Sequence, residues 1–183
     1  MLALLRARRC VAALEFGLLA PTFVMIFAGV ADLGNALYTW SKLEQALALG
    51  SNYALMNQGQ VNSTNGPALA DNIAIIVATS NPGTAANSAV VVNNGPTATV
   101  TNGGTPVDGG TAANANKYYC LTGSPTSWTW GTGYNDTTTQ CTDGSHSGQF
   151  VTISVSYNFT PFFISYGFVQ NGLMTAGAVV QAN

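Results

Sequence analysis

The charged residues nearest the N-terminus have the types and spacing needed for ion pairing inside a membrane. Residues 6–9, RARR, contain three arginines, and one carboxylate, Glu15, follows within an apolar stretch over residues 11–31. A charge at the centre of a bilayer costs roughly 2.5 to 3.5 kcal/mol on insertion scales, so an intramembrane carboxylate usually has a partner or a task. Glu15 lies only about 6 Å along a helix from Val11, near the arginines, where the cost is smaller. This carboxylate is the first candidate functional group.

The acidic and histidine side chains of the outer part of the chain form no recognisable catalytic constellation. They are Glu44, Asp71, Asp108, Asp136, Asp143 and His146. The sequence also contains no GxSxG, HExxH, phosphate-loop or dinucleotide-binding motif. We therefore predict that the protein is not an enzyme and that it carries no cofactor.

The three cysteines divide by position. Cys10 follows the arginines, whereas Cys120 and Cys141 bracket a stretch rich in Gly, Ser and Thr. A zinc site cannot be assembled from Cys and His alone, because the chain has one histidine, His146, and no CxxC spacing. We predict a disulfide between Cys120 and Cys141, formed in an oxidising compartment, and no metal site.

Three aromatic residues, Trp128, Trp130 and Tyr134, lie between the two paired cysteines. Aromatic side chains supply large contact areas, so this group could stack on a sugar or on a partner surface. The alternative is that the rings anchor the loop to the rest of the domain, and we favour this second interpretation.

The composition excludes one large class of partner. The chain has 183 residues and a net charge of −2, with 47% hydrophobic but only 7% charged residues. After Arg9 the only basic residues are Lys42 and Lys117. Nucleic acid is not an expected partner, because no electropositive surface is available for a phosphate backbone.

Residues 11–31 predict a transmembrane helix. Their length as a helix is about 31 Å, close to the hydrocarbon thickness of a bilayer. Arginines precede this span and only Lys42 follows nearby, so the positive-inside rule places residues 1–10 in the cytoplasm and the remainder outside. Pro21 falls within the span, where it removes one helical hydrogen bond and favours a bend.

Helical periodicity continues past the membrane over residues 32–58, which predicts an amphipathic extension of the same helix. The predicted apolar stripe comprises Leu33, Leu37, Trp40, Leu43 (or Glu44), Leu47 and Ala54. Such a stripe must pack either on the chain's own outer domain or on another subunit.

Residues 59–183 predict an outer α+β domain. A second helix should begin at Asn65 or Gly66 and end near Thr79. Strands are predicted at residues 90–92, 97–101, 150–159 and 173–180, and residues 103–110 are predicted to form a loop. The expected fold is a long N-terminal helix packed on a small antiparallel sheet of about four strands, with one disulfide.

The N-terminal residues resemble a known family. Basic residues, then Cys10, four apolar residues, Glu15 and Phe16 resemble the class III signal of type IV pilin-like proteins. The longer stretch RRCVAALEFGLLAPTFVMIFAGVADLGNALYTW resembles the start of TadE-like proteins, the pseudopilins of the tight-adherence (Flp) pilus system. Residues 154–163, SVSYNFTPFF, are similar to the closing strand of that family.

This resemblance implies a minor pilin or pseudopilin that is processed by a prepilin peptidase at the cytoplasmic face. Cleavage would fall between Cys10 and Val11, with Cys10 at the position where the family generally has glycine. The new amine at Val11 could then pair with Glu15 of an adjacent subunit. The implied partners are the cytoplasmic membrane, other pilin-class subunits and the pilus assembly platform. The implied location is the bacterial inner membrane, with a periplasmic outer domain, or a pilus outside the cell.

Two alternatives belong to other functional classes. Residues 6–31 could be an ordinary secretory signal cleaved after Ala31, which would release a soluble binding or adhesion domain. The chain could also remain an uncut signal anchor that displays such a domain. The first residue of the mature protein separates the three cases: Val11, Asp32 or Met1.

Overall fold

The first helix dominates the architecture. The computed structural model describes residues 2–80, 86–125, 127–162, 169 and 171–182, with side chains described from Leu14 onward. Helix α1 spans Leu2–Met56, which makes it about 82 Å long at 1.5 Å per residue. It continues through Pro21 as an unbroken α-helix. The predicted membrane span and the predicted extension therefore belong to one continuous helix, as expected.

A short connection reverses the chain at the end of α1. Asn57 closes the helix by donating its side-chain amide to the Tyr53 carbonyl at 2.8 Å, and a 3-10 turn covers Gln58–Gln60. The Asn62 side chain then accepts hydrogen bonds from the backbone of Thr64 and Asn65. Helix α2 follows at Gly66–Thr79, with a proline in its first turn, within the bounds predicted from the sequence.

The strands form one antiparallel sheet and one small hairpin. Their bounds are β1 Asn87–Val92, β2 Pro96–Val100, β3 Val107–Gly110, β4 Thr122–Ser124, β5 Ser127–Thr129, β6 Phe150–Asn158 and β7 Leu173–Gln181. The main sheet has the order β3-β2-β1-β6-β7, and β4 pairs only with β5. Neighbouring strands are antiparallel at every pairing.

Both helices cover the same face of this sheet. Helix α2 lies on β1 and β2, whereas the outer half of α1 lies on β6 and β7 and also contacts α2. The two helices cross at Gly50, where an added Cβ would lie 2.5 Å from a methyl group of Val77. Large side chains that are fully buried between the layers include Leu43, Leu69, Ile73, Val77, Val90, Ile153 and Met174.

The buried stripe of α1 differs in part from the prediction. Leu33 and Leu37 are 40% and 52% exposed, and Glu44 is exposed, whereas Leu43, Leu47 and Ala54 are buried as expected. In this part of the helix the buried residues are Asp32, Ala36 and Thr39 instead of the two leucines. The predicted and the observed stripe agree from Leu43 to Ala54. They differ over residues 32–39, because the domain packs against the smaller side chains in that part of the helix. The Thr39 hydroxyl is satisfied within the helix by the Asn35 carbonyl at 2.9 Å.

The sheet contains one strand more than the four predicted. Residues 107–110 form β3 on the edge of the sheet, so the predicted loop over residues 103–110 was wrong in its second half. All four residues of β3 are exposed, and the strand therefore shows no alternation that could reveal it. Its glycines allow close pairing, since a Cβ at Gly110 would overlap the Gly95 carbonyl.

Candidate membrane and subunit interface

The membrane-facing part of α1 carries an apolar surface that nothing in the chain covers over the described residues. One helix in that part of the chain, described from Leu14 to Met56, is long and apolar enough to cross a bilayer. Large hydrophobic side chains protrude all round its first half. They are Leu14, Phe16, Leu18, Leu19, Phe23, Val24, Met25, Ile26, Phe27 and Val30. A helix that is apolar on every side is suited to a lipid or helix-bundle environment.

Glu15 is an exposed carboxylate on this apolar surface. Leu18 and Leu19, one turn further along, are also exposed, so the nearest described positions on its face of the helix are apolar. The side chains of Cys10 and Val11, the predicted processing site, lie outside the described residues. Phe16 is described, and its ring projects from the helix.

Small residues leave gaps in the surface of α1. A Cβ built at Gly17, Gly29 or Gly34 meets no atom within 4 Å. In membranes, small residues allow the backbones of neighbouring helices to approach closely. These gaps can therefore accept side chains of another helix.

The helix meets the outer domain at Asp32. This carboxylate is 3% exposed and accepts a hydrogen bond of 3.0 Å from the backbone N–H of Phe162, which follows β6. Further along α1, the ammonium of Lys42 lies 4.4 Å from the centre of the Tyr38 ring, a cation–π contact. The sequence analysis missed Asp32, although a charged residue in phase with Ala36 and Leu43 was a signal that its carboxylate has a partner.

The predicted disulfide is present between Cys120 and Cys141, with their Cα atoms 5.5 Å apart. Inside the loop, the ring of Trp130 packs edge-on against the buried Tyr119 with centroids 5.7 Å apart. Trp128 is half-buried on β5, and its indole N–H is shielded from solvent.

The third aromatic residue of the loop is attached through its backbone. Tyr134 exchanges two backbone hydrogen bonds with Tyr118, and its side chain is half-buried. All three rings are thus at least partly engaged within the domain, which favours anchoring of the loop. Contact with a partner stays a prediction.

The acidic residues of the outer domain are distributed over separate structural contacts. Burial of the Asp71 carboxyl group on α2, together with the neighbouring carboxyl group of Asp108 on β3, raises the pKa of Asp71 to about 6. Hydrogen bonds from Thr138 lower the pKa of Asp136, and hydrogen bonds from Ser145 lower that of Asp143.

His146 does not join any of these carboxylates in a metal-binding group. Its backbone forms an isolated bridge with Gln140. In the described parts of the chain, no three His, Cys, Asp or Glu residues are grouped so that they could hold a metal ion.

A comparison with protein families finds a match for the N-terminal part of the chain. Residues 11–51 match the family model described as TadE-like protein. This segment is TadE-like. The TadE-like segment begins at Val11, contains Glu15 and continues into the part of α1 that packs on the outer domain.

Comparison of the chain with curated proteins and with solved structures finds no match. Among the described residues, one helix is long and apolar enough to fit a single-pass membrane protein. The match of residues 11–51 to the TadE-like family model confirms the resemblance that the N-terminal sequence indicated.

Proposed function

We propose that the protein is a minor pilin or pseudopilin that takes part in assembly of a tight-adherence pilus. The observation that carries this proposal is the difference in burial between the two halves of α1. One face of its outer half is buried against its own domain from Asp32 to Ala54, whereas the apolar surface of residues 14–31 is left for lipid or other subunits. The TadE-like segment spans both halves.

The charge distribution supports an orientation for this rod. Arginines at residues 6–9 would stay in the cytoplasm, and residues 11–31 would cross the inner membrane. Residues 32–58 would then carry the domain of residues 59–183 into the periplasm, or outside the cell within a pilus. The disulfide between Cys120 and Cys141 supports an oxidising compartment for that domain.

The N-terminal residues would be processed and then used in assembly. A prepilin peptidase would cut between Cys10 and Val11 at the cytoplasmic face. The amine created at Val11 would pair with Glu15 of an adjacent subunit, so that each charge offsets the desolvation of the other. This pairing would set the axial register between subunits, and the gaps at Gly17 and Gly29 would allow close helix packing.

Function in this scheme resides in contacts rather than turnover. The partners would be the cytoplasmic membrane, other pilin-class subunits, the prepilin peptidase and the assembly platform. Neither an enzymatic reaction, a cofactor nor nucleic acid enters the proposal.

The continuity of α1 also bears on the alternatives. Cleavage after Ala31 would cut the middle of a helix and leave Asp32 at the new terminus, although its carboxylate holds the outer domain through Phe162. The structure therefore offers less support for a secreted binding or adhesion domain than for a membrane-held subunit. An uncut anchor would keep all of these contacts.

N-terminal sequencing of the membrane-extracted protein tests the processing step. The proposal expects Val11 as the first residue. Asp32 would identify a secretory signal and Met1 an uncut anchor, and either result would exclude processing as proposed.

Substitution of the intramembrane carboxylate tests the assembly step. Glu15→Gln should leave membrane insertion intact but strongly reduce the amount of sheared pili, because the amide cannot form the ion pair. Glu44→Gln is the matched control, since Glu44 is an exposed glutamate on the same helix outside the membrane span. Normal piliation with Glu15→Gln would refute the assembly role of this carboxylate.

A further inference from the structure

The turn that follows β6 holds a large apolar side chain in an unusual position. Phe162 is 87% exposed, although its backbone N–H is fixed at 3.0 Å from the buried Asp32 carboxylate. The two residues are 130 positions apart in the chain. A specific tertiary contact with α1 therefore fixes the backbone that carries this exposed ring.

The contact sets the level of Phe162 along the helix axis. Asp32 directly follows the apolar stretch of residues 11–31. Phe27 and Val30, both exposed, lie within about 8 Å of Asp32 along the axis, on the membrane side. Phe162 is thus placed where the hydrocarbon of the outer leaflet would give way to headgroups.

An apolar recess lies between this ring and the helix. It has a volume of about 380 Å³ and is lined by Ala28, Ala31, Asp32, Asn35 and Phe162. Ala28 and Ala31 belong to the last turns of the membrane span, so the recess is continuous with the surface that lipid would cover.

We propose that Phe162 inserts into the outer boundary of the bilayer and that acyl chains fill the recess beside α1. This inference rests on the membrane placement of residues 11–31 and not on a role in a pilus. Aromatic and apolar side chains are stable at this depth, buried about 5–10 Å into the boundary between headgroups and acyl chains. The outer domain then touches the membrane at a second point.

The second contact has a mechanical role. A single helix can tilt in a bilayer, and its tilt is set by packing and by residues anchored at the interface. Phe162 supplies such an anchor at one side of α1, and Asp32 transmits its position to the helix. The outer domain is thereby held against the membrane surface in one orientation.

Spin-label accessibility in vesicles tests the depth of the ring. Full-length chain carrying Cys10→Ser and Phe162→Cys is labelled with a nitroxide and reconstituted in phosphatidylcholine and phosphatidylglycerol. The ratio of collision rates with oxygen and with a water-soluble nickel chelate is then measured. Labels at Phe27→Cys and Met56→Cys give the lipid and water references, and Met56 is a matched control because it is 85% exposed at the far end of the same helix.

The proposal expects a ratio at position 162 close to the lipid reference and several-fold above that at position 56. A ratio equal to that at position 56 would place the ring in water. Low collision rates with both reagents would place it against protein, such as a second copy of the chain. Either of these results overturns the proposal.

Asp32→Ala, combined with the label at position 162, tests the coupling to the helix. The ratio should fall towards the water reference, and an unchanged ratio would refute the positioning role of Asp32. Formation of the disulfide between Cys120 and Cys141, measured by intact mass, confirms folding of each variant. Phe162→Trp gives an independent reading, because brominated lipids should quench its added fluorescence, and the absence of quenching would contradict insertion.

Discussion

Asn93 and Phe150 are joined by two hydrogen bonds that run in opposite directions. The backbone N–H of Asn93 donates to the Phe150 carbonyl at 2.8 Å, and the backbone N–H of Phe150 donates to the side-chain oxygen of Asn93 at 3.2 Å. The fully buried amide of Asn93 also donates to the carbonyls of Ala115 and Lys117. One side chain thus ties the β1–β2 turn to β6 and to the segment that leads to the disulfide.

Asn93→Asp should destabilise the outer domain strongly. The carboxylate keeps the shape and tolerates the left-handed backbone at φ 52°, but it cannot donate to the two carbonyls. Leaving buried groups unsatisfied costs about 1–3 kcal/mol each, so we expect a clear loss of unfolding free energy in detergent-solubilised protein. Asn94→Asp is the matched control, because Asn94 has φ 53° but is only half-buried. Equal stability of the two variants would contradict this role of Asn93.

Gly177→Ala should displace the β4–β5 hairpin from the sheet. An added Cβ on β7 would lie 1.9 Å from the Pro125 carbonyl oxygen, which is backbone and cannot move alone. Overpacking of this kind typically costs about 1–3 kcal/mol. Thermal unfolding should show this loss of stability. Gly59→Ala is the control and should leave the stability unchanged, since no atom lies within 4 Å of a Cβ built there. Unchanged stability of Gly177→Ala would show that the hairpin does not rest on β7.

The pair of Asp71 and Asp108 should make the domain more stable in weak acid. The pKa of Asp71 rises from its ordinary value of 3.8 to about 6, so the folded state binds an extra proton between these values. Stability should therefore fall as the pH rises from about 4 to about 6 and then level off. Asp71→Asn should abolish that fall when unfolding is followed across this range.

Asp143→Asn provides the comparison for this pH dependence. Ser145 lowers the pKa of Asp143, so its contribution is lost only as the pH falls below the ordinary range of a carboxyl group. The variant should therefore retain the slope between pH 4 and 6 seen in the unmodified protein. Loss of that slope in Asp143→Asn would remove the assignment to Asp71.

Removal of both paired cysteines should destabilise the outer domain without affecting membrane insertion. The bond between Cys120 and Cys141 closes a loop with a sequence separation of 21, for which chain entropy predicts about 3 kcal/mol. Denaturant unfolding of the Cys120→Ser, Cys141→Ser double variant measures this loss. Cys10→Ser should leave the same transition unchanged, and an equal shift would indicate a role for Cys10 in the fold.

The helices and the central strands were predictable from local pattern. Residues 11–31 are almost wholly apolar, and the β-branched run of β6 alternates with a period of two, so both patterns can be recognised without knowledge of tertiary contacts. The disulfide was predictable because Cys120 and Cys141 stand apart from the charged N-terminus. These features depend on composition and spacing alone.

The remaining features arise from contacts between distant segments. β3 is an exposed strand whose pairing depends on the glycines at 109 and 110, and no periodicity marks it. The stripe of α1 is ambiguous where leucines and small residues alternate, so only packing against the domain selects Ala36 over Leu37. The bond between Asp32 and Phe162 spans most of the sequence and has no local signature.

The unbroken helix α1 couples the rotation of its N-terminal half to the rotation of the outer domain. Leu2–Met56 forms one continuous helix, and its outer half packs tightly on the domain at Gly50 and Leu43. A rotation of the apolar N-terminal half about the helix axis should therefore turn the outer domain with it. The orientation of the outer domain about the helix axis is therefore coupled to that of residues 14–31.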